Sequence, residues 1–252
     1  PMQRIASLGL DFFSSYVWGR AAALGTPAAS VVAATFGVFE PNFLGAVYER
    51  GVNGASRDDV LRARSEGATE AMDSVLTAAE ASALVDPLRR VLDGLDGMAR
   101  PLFSALRELP EPSTPQGRLW RAAELVREHR GDGHLAAGAA MGLDGVEMNV
   151  FTELWLGYGL GEYSGTRGWS AERIGEAVQS LERRGWVSGG KLTSTGTAAR
   201  VQLENDTDRS QDALVAGLGA HLETLVRAGD TLTATLLRVE RFPYDPRKLA
   251  AG

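Results

Sequence analysis

The sequence predicts a mainly α-helical protein that carries one short β-hairpin. Glycines and prolines divide the 252-residue chain into segments in which apolar residues recur at helical spacing. Several of these segments begin at Ser, Thr or Asp, the residues that favour helix N-caps. The hairpin is indicated by Gly189-Gly190, a pair that can adopt positive φ angles between two β-prone runs, 186–188 and 191–193.

The composition restricts both the environment and the chemistry of the protein. Hydrophobic residues make up 44% of the chain, which is enough for a sizeable core. The absence of cysteine excludes disulfides, thiolate metal sites and cysteine nucleophiles. The apolar stretch between Asp11 and Arg20 is too short to span a bilayer, so we expect a soluble, cytoplasmic protein with no membrane partner. The net charge of −6 weighs against a strongly basic DNA-binding face.

The first half of the chain is predicted to form a series of helices. Gly25 ends the first of them, and Pro27 starts the second. Ser56, with Asp59 three residues later, indicates the N-cap of a further helix. The predicted helices cover residues 11–25, 27–39, 42–50, 58–76, 79–96 and 98–108.

Three prolines in the segment 110–115 exclude a helix interior there and mark a boundary. We therefore divide the chain into an N-terminal helical half, a Pro-rich connection and a C-terminal half, at residues 2–109, 110–115 and 116–252. The two halves contain the similar strings AAALGTPAASVVAATFGVF and AAGAAMGLDGVEMNVFTEL. Either the halves arose by duplication, which would make the first a degenerate winged helix, or Ala-rich helices resemble one another by chance.

The C-terminal half is predicted to begin with a helix over 118–130 that Gly131-Asp132-Gly133 interrupts. Further helices follow over 134–143 and 146–157, separated by a turn at Asp144-Gly145.

The segment from Ser170 has the pattern of a capped amphipathic helix, a hairpin and a second helix. Ile174, Val178 and Leu181 share one face of the first helix, which Gly185 ends. The second helix is predicted over 194–218, and its polar middle at 204–208 is expected to bend or to face another subunit.

This segment resembles the winged-helix core of MarR-type regulators, whose LTxxG string here is LTSTG at 192–196. The chain is more closely similar to an actinobacterial helix-turn-helix family related to MarR proteins. The strings that carry this resemblance are YVWGRAAALG at 16–25, AATFGVFEP at 33–41, VREHRGDGH at 126–134 and TRGWS at 166–170. The resemblance covers most of residues 16–210 and implies a winged helix at about 168–210, but it implies no particular reaction.

The charge of this predicted winged helix is neutral, with six acidic and six basic side chains in residues 168–210. The hairpin offers one cation, Lys191, where a DNA-binding wing usually carries several. Base reading by the preceding helix would fall to Arg173, Gln179, Arg183 and Arg184. DNA binding is therefore the alternative hypothesis at this point.

A cluster of polar residues in the string REHRGDGH suggests a binding or catalytic site. The expected glycine turn would present backbone N–H groups to an anion, with Arg127 or Arg130 as the counter-charge. His134, in the first turn of the next helix, would be a neutral general base, oriented by Asp132. Alternatively, Asp132 only caps the helix, the arginines pair with Glu128, and His134 is a hydrogen-bonded core residue.

Aromatic residues are the other candidates for a ligand pocket. Tyr16 and Arg20, with Phe36 and Phe39, could line such a pocket, and Trp155 could cover it. Aromatics at helical spacing are also typical of a core, and Trp155 also suits a dimer contact. His129 joins the ligand-binding candidates of the polar cluster.

No standard hydrolase, nucleotide-phosphate or dinucleotide motif is present. No cofactor and no metal site are predicted, although the sequence leaves haem or a metal at His134 open.

Three functional hypotheses follow. The first is a winged-helix protein that binds a small, largely apolar organic molecule between its halves. If it is an enzyme, which the sequence leaves open, it would catalyse a cofactor-independent proton transfer such as a cyclisation, elimination or hydrolysis at His134 and Asp132. The second is a MarR-like regulator that binds DNA as a homodimer and responds to a ligand. The third is a protein-interaction module.

Overall fold

The computed structural model describes residues 1–238, which form a mainly helical fold with one two-stranded antiparallel sheet. The predicted fold class is confirmed to that extent. The helices are α1 (Met2–Ala6), α2 (Phe12–Ala21), α3 (Ala29–Phe36), α4 (Pro41–Gly54), α5 (Arg57–Asp73), α6 (Ala78–Leu92), α7 (Pro101–Arg107), α8 (Pro115–Ala140), α9 (Gly145–Leu156), α10 (Ala171–Arg183), α11 (Ser194–Arg209), α12 (Asp212–Leu218) and α13 (Leu222–Arg238). The strands are β1 (Val187–Ser188) and β2 (Lys191–Leu192), and short 3₁₀ helices cover Ala22–Leu24, Ser164–Arg167 and Gly219–His221. Residues 239–252 of the predicted C-terminal half lie outside the described residues.

Side-chain caps fix the start of several helices where the sequence predicts them. The Ser56 hydroxyl accepts a hydrogen bond from the Asp59 backbone N–H at 3.1 Å, and α5 begins at the next residue. Ser170 accepts from the Arg173 N–H at 3.2 Å at the start of α10. Each cap satisfies a backbone donor that the first turn of a helix leaves without a partner.

The predicted break at residues 131–133 is wrong, because α8 continues through both glycines to Ala140. Asp132 does not cap its own helix, since its carboxylate accepts a hydrogen bond from the Phe103 N–H of α7 instead. The stretch 204–208 stays helical within α11, so the expected bend there is wrong, and the alternative, that it faces another subunit, stays a prediction. Hydrogen bonds from Arg200 to Glu204 and from Gln202 to Asp206 span this stretch of α11, and the chain leaves the helix only after Arg209.

The described chain divides into two compact units, each assembled from non-consecutive segments. The first unit comprises residues 1–27, 47–132 and the described chain from residue 211 onward. One apolar cluster of this unit is formed by α6, α7, α8 and α12, and the Pro-rich segment 110–115 connects α7 to α8. The duplication of a 2–109 half as a 116–252 half stays a prediction.

The second unit comprises residues 28–46 and 133–210. Its core joins α9, α10, β1 and α11 through Val150, Phe151, Leu181, Val187 and Leu203, each at most 3% exposed. Burial of side chains of this size stabilises the fold by about 1.5–3 kcal/mol apiece. This core fixes the position of α10 and the hairpin.

Within residues 1–238, no helix combines the length and the apolar character that crossing a bilayer requires.

Candidate functional site

Helix α10 is held by one apolar face and exposes the opposite one. Ile174, Ala177 and Leu181 are buried against the core of the second unit, at the i, i+3 and i+7 spacing of a helix face. Two of the base-reading candidates, Gln179 and Arg183, are exposed on the other side. The helix therefore has one face free for contact with a partner.

The hairpin follows α10 directly and is fixed to it by a small network. Val187 pairs with Leu192 and Ser188 with Lys191, which confirms the hairpin that the sequence predicts. Gly189 and Gly190 form its turn, with φ of +56° and +70°. The Thr193 hydroxyl donates to the Gly185 carbonyl at 2.7 Å and accepts from the Gly196 N–H at 3.0 Å.

Gly196 is needed at the end of this network because the chain packs too closely there for a side chain. A Cβ at Gly196 would overlap the Trp186 carbonyl and lie 2.7 Å from its carbon atom. The Trp186 ring in turn stacks on Phe151, with ring centroids 5.4 Å apart and planes 16° from parallel. The hairpin is thus part of the core of the second unit rather than a separate loop.

Arg184 is a base-reading candidate that the structure uses for anchoring. Its guanidinium donates to the carbonyls of Met141 and Gly142 at 3.0 and 2.5 Å, lies 3.5 Å from Glu147 and covers the Trp186 ring. These contacts fasten the end of α10 to the chain before α9. A base contact by Arg184 would require all of them to break.

The exposed face of α10 and the hairpin carries little surplus positive charge. Arg173 is half-exposed and pairs with Glu176, while Lys191 is exposed on β2. Glu172, Glu176 and Glu182 are exposed on the same helix. This surface would therefore attract the phosphates of a nucleic acid only weakly. Any selectivity for a base sequence would come from individual side chains.

The polar cluster at 127–134 consists mostly of ion pairs within the first unit. Arg20 donates to both carboxylate oxygens of Glu128, at 2.9 and 2.7 Å, and Glu128 is 3% exposed. Arg127 also donates to Glu128 at 2.9 Å. Burial acts to raise the pKa of Glu128, but the hydrogen bonds and the charge of Arg20 outweigh burial and hold this pKa below its usual range. This carboxylate is ionised and neutralised inside the protein.

Asp132 is buried and only partly satisfied. Its Oδ2 accepts from the Phe103 N–H at 3.0 Å, in the first turn of α7, where Arg100 provides no side-chain cap. Its Oδ1 is buried without a hydrogen-bond partner. Burial raises the pKa of the Asp132 carboxyl to about 6. Asp132 thus caps a helix, as one sequence interpretation holds, but a different helix from the one expected.

The structure does not bring Asp132 and His134 together as a dyad. Residues two apart in a continuous helix point to different sides, and α8 is continuous here. His134 lies in the second unit, where its Nδ1 is 2.9 Å from the Thr207 hydroxyl. Helix replaces the turn expected to present N–H groups to an anion, so the local basis for proton-transfer chemistry is lost. A catalytic role for either residue stays a prediction.

His129 and Arg130 of the same string occupy different environments. His129 is 3% exposed, its Nδ1 is 2.8 Å from Oε1 of Gln211, and its ring meets Phe103 edge to face. Burial lowers the pKa of His129 and favours a neutral imidazole. Arg130 is exposed on α8.

The aromatic candidates are divided between the two units. Phe36 and Phe39 are 2% and 3% exposed in the second unit and contact each other edge to face. Trp155, 40% exposed, lies beneath the Arg200 guanidinium of the same unit. Tyr16 belongs to the first unit with Arg20. Packing accounts for Phe36 and Phe39, and ligand contacts by the aromatics stay a prediction.

No group of three or more His, Asp or Glu side chains within residues 1–238 is arranged to hold a metal ion.

Sequence reasoning missed the ion pair of Arg64 with Glu124, at 2.9 and 2.5 Å, and the role of Gly196. Arg64 and Glu124 lie 60 residues apart, and no local pattern reports such a contact. For Gly196, the LTSTG string carries a family resemblance but does not by itself indicate the close packing.

Together these features define a helical protein in which a capped helix with one exposed face leads directly into a short, tightly fixed β-hairpin. A family model described as a helix-turn-helix family matches residues 2–243, and the chain belongs to that helix-turn-helix family. No curated protein and no solved structure matches the chain.

Proposed function

We propose that this protein is a MarR-like, winged-helix DNA-binding regulator, with α10 as the recognition helix and β1–β2 as the wing. The observation that carries the proposal is the exposed face of α10 beside the hairpin, in a chain of the helix-turn-helix family. In such proteins the second helix of the motif enters the major groove, and its N-terminal residues contact base edges.

Three side chains of α10 have suitable chemistry and exposure for base reading. Arg173 is in the first turn, while Gln179 and Arg183 are exposed further along. Arginine pairs with guanine and glutamine with adenine through two hydrogen bonds each. Arg184 is left out of this proposal because its contacts with Met141 and Gly142 hold it in place.

The acidic residues of α10 limit how strongly this surface can bind DNA of arbitrary sequence. Arg173 must leave Glu176 before it contacts DNA, and Glu172 and Glu182 repel phosphates. Binding to arbitrary duplex is therefore weak, and affinity depends on a preferred sequence.

A selection from a randomised duplex library, followed by fluorescence anisotropy with the enriched duplex, tests this proposal. Arg183→Ala and Gln179→Ala should each weaken binding by roughly 5- to 150-fold, as for loss of a two-bond base contact. Arg62→Ala, on the exposed surface of α5, is the matched control and should leave the affinity unchanged. Failure to enrich any sequence at low salt would overturn the proposal.

We further propose that the protein acts as a homodimer that binds two half-sites about one helical turn apart. Helix α13 supports this, because it leaves Val226 and Leu237 54% and 42% exposed. Light scattering at micromolar concentration should give twice the chain mass, and Val226→Glu with Leu237→Glu should restore the monomer mass. A monomer mass for the unmodified chain would contradict dimerisation.

A further inference from the structure

A cleft in the first unit combines a buried apolar lining with an excess of arginine. Side chains of α6, α7, α8 and the Pro-rich segment line it, and its volume is about 100 Å³. The buried Leu92, Leu106 and Leu125 belong to its apolar part. Its ionisable side chains are Arg89, Arg107, Arg118, Arg121, Asp93 and Glu111. The lining therefore carries more cations than carboxylates.

Both carboxylates of the lining already face cations. Arg89 donates to Glu111, and its Nε lies 3.7 Å from an oxygen of Asp93. Arg121 faces Glu124, whose nearer oxygen is 3.9 Å from its Nε, and faces Glu111 at a longer distance. The charges of Arg89 and Arg121 are therefore balanced by carboxylates.

Arg107 and Arg118 supply the surplus charge. In the part of the chain that the structure describes, neither guanidinium has an Asp or Glu oxygen within 4.0 Å. Arg107 donates to the Leu95 carbonyl at 2.7 Å, and its guanidinium lies 4.9 Å from the centre of the Phe103 ring. Arg118 donates to the Ser113 carbonyl at 3.3 Å. Because a guanidinium has five N–H donors, both arginines keep donors for an anion.

The size and the charge of the cleft fit a phosphate group. A closed cavity of about 150 Å³ holds a benzene ring, which has more non-hydrogen atoms than phosphate does. A volume of about 100 Å³ is therefore sufficient for phosphate. A phosphate dianion balances the charges of Arg107 and Arg118, and a guanidinium can donate to two phosphate oxygens at once. The apolar lining lowers the local dielectric constant and strengthens these contacts.

We propose that this cleft binds the phosphate group of inorganic phosphate or of a small phosphomonoester, with Arg107 and Arg118 as its donors. The side chains of Arg89 and Glu111, about half-exposed, lie where the cleft opens to solvent and leave space for an ester substituent. The cleft contains no residue of α10 or of the hairpin, so its ligand does not depend on DNA binding.

Isothermal titration calorimetry on the full chain, in phosphate-free buffer at constant ionic strength, tests this site. Sodium phosphate should bind about ten times more tightly than the monoanion acetate, because it carries the second charge. Arg107→Gln and Arg118→Gln should each reduce phosphate affinity about tenfold, as for the loss of a charge-assisted hydrogen bond. Phenyl phosphate distinguishes the two sources. Binding at least as tight as that of phosphate identifies a phosphomonoester, and weaker binding identifies free phosphate.

Arg90→Gln is the matched control, because Arg90 follows Arg89 on α6 but is exposed and does not line the cleft. Its phosphate affinity should equal that of the unmodified chain. An equal loss in Arg90→Gln and Arg118→Gln, equal binding of acetate and phosphate, or no saturable phosphate binding at millimolar concentration would each overturn the proposal. If Arg107→Gln does not fold, Arg118→Gln decides alone, and unchanged phosphate affinity in it is a negative result.

The enriched duplex separates this site from a contact with the DNA backbone. Arg118→Gln should leave duplex affinity unchanged, because the proposed base contacts belong to α10. Loss of duplex affinity in Arg118→Gln, with no binding of inorganic phosphate, would overturn the proposal and assign the cleft to DNA. If no duplex is enriched, the phosphate titration still decides.

Discussion

At the scale of single residues, the protein buries carboxylates in two different ways. Glu128 is neutralised by Arg20 at 2.9 and 2.7 Å. Asp132, one helical turn further on, receives a backbone N–H from Phe103 and has one oxygen without a partner. The two carboxyl groups therefore affect stability with opposite pH dependence. The stabilising contribution of Glu128 is lost as the pH falls, and that of Asp132 is lost as the pH rises.

Asp132→Asn should remove the loss of stability that the Asp132 carboxyl causes as the pH rises. Burial raises the Asp132 pKa from 3.8 to about 6, so the folded state binds the proton more tightly than the unfolded chain does. Its contribution to stability is therefore fully present below pH 3.8 and is lost as the pH rises to about 6. In urea unfolding, the free energy of unfolding of the unmodified chain relative to that of the variant should fall by about 2 kcal/mol between pH 4 and pH 7.

The asparagine variant is the more stable form at pH 7 in this prediction, because it avoids a buried, partly satisfied charge. Equal pH profiles for the two forms would show that Asp132 titrates normally.

Arg20→Met should be strongly destabilising, because it leaves the Glu128 charge buried without its main partner. The expected loss in the free energy of unfolding is about 3 kcal/mol at neutral pH, measured by urea unfolding. Arg4→Met is the matched control, since Arg4 pairs with Glu70 on the surface and both side chains are about half-exposed. A small effect in Arg20→Met would mean that solvent or another group compensates Glu128.

At the scale of secondary-structure elements, the hairpin depends on one close contact. Gly196→Ala should destabilise the protein by about 3 kcal/mol, because the new methyl group would overlap the Trp186 carbonyl. Gly175→Ala in α10 is the control, since nothing lies within 4 Å of its Cβ position. It should raise stability by up to about 1 kcal/mol through helix propensity. Thermal unfolding of both variants measures the contrast, and equal effects would contradict the packing argument.

Local chemistry made several elements predictable from the sequence. Ser56 and Ser170 cap the helices that the sequence assigns to them, and the turn at Gly189-Gly190 is where its pattern indicates. In these cases the deciding contacts connect residues three to five positions apart. The rule that finds them needs no knowledge of the fold.

The same rules fail where a distant partner decides the conformation. Asp132 between two glycines is typical of a helix start, yet its carboxylate caps α7, 29 residues earlier in the chain. The paired role of Asp132 and His134 depended on that break, and the ion pair of Arg64 with Glu124 had no local signal at all. The residues on the exposed face of α10 could be predicted from helical periodicity. The anchoring of Arg184 could not, because its partner Met141 lies 43 residues earlier in the chain.

At the scale of the whole molecule, the net charge of −6 opposes association with DNA. Replacing Glu172, Glu176 and Glu182 by glutamine should raise the affinity for the selected duplex about tenfold at low salt, because it removes repulsion and releases Arg173 from its ion pair with Glu176. Fluorescence anisotropy measures the change.

The matched control for this triple variant alters the net charge equally at exposed positions of the first unit. It combines Glu49→Gln, Asp58→Asn and Asp73→Asn. An equal gain in both triple variants would locate the effect in overall charge rather than in α10.

The contact of Trp186 with Phe151 also has a practical consequence. An indole stacked on a phenyl ring 5.4 Å away, with a guanidinium on it, sits in an unusual electronic environment. Its emission should shift when the hairpin moves, and the difference between the unmodified chain and Trp186→Phe isolates that signal from the other four tryptophans. The molecule thus contains its own optical reporter, placed beside the helix proposed to enter the groove.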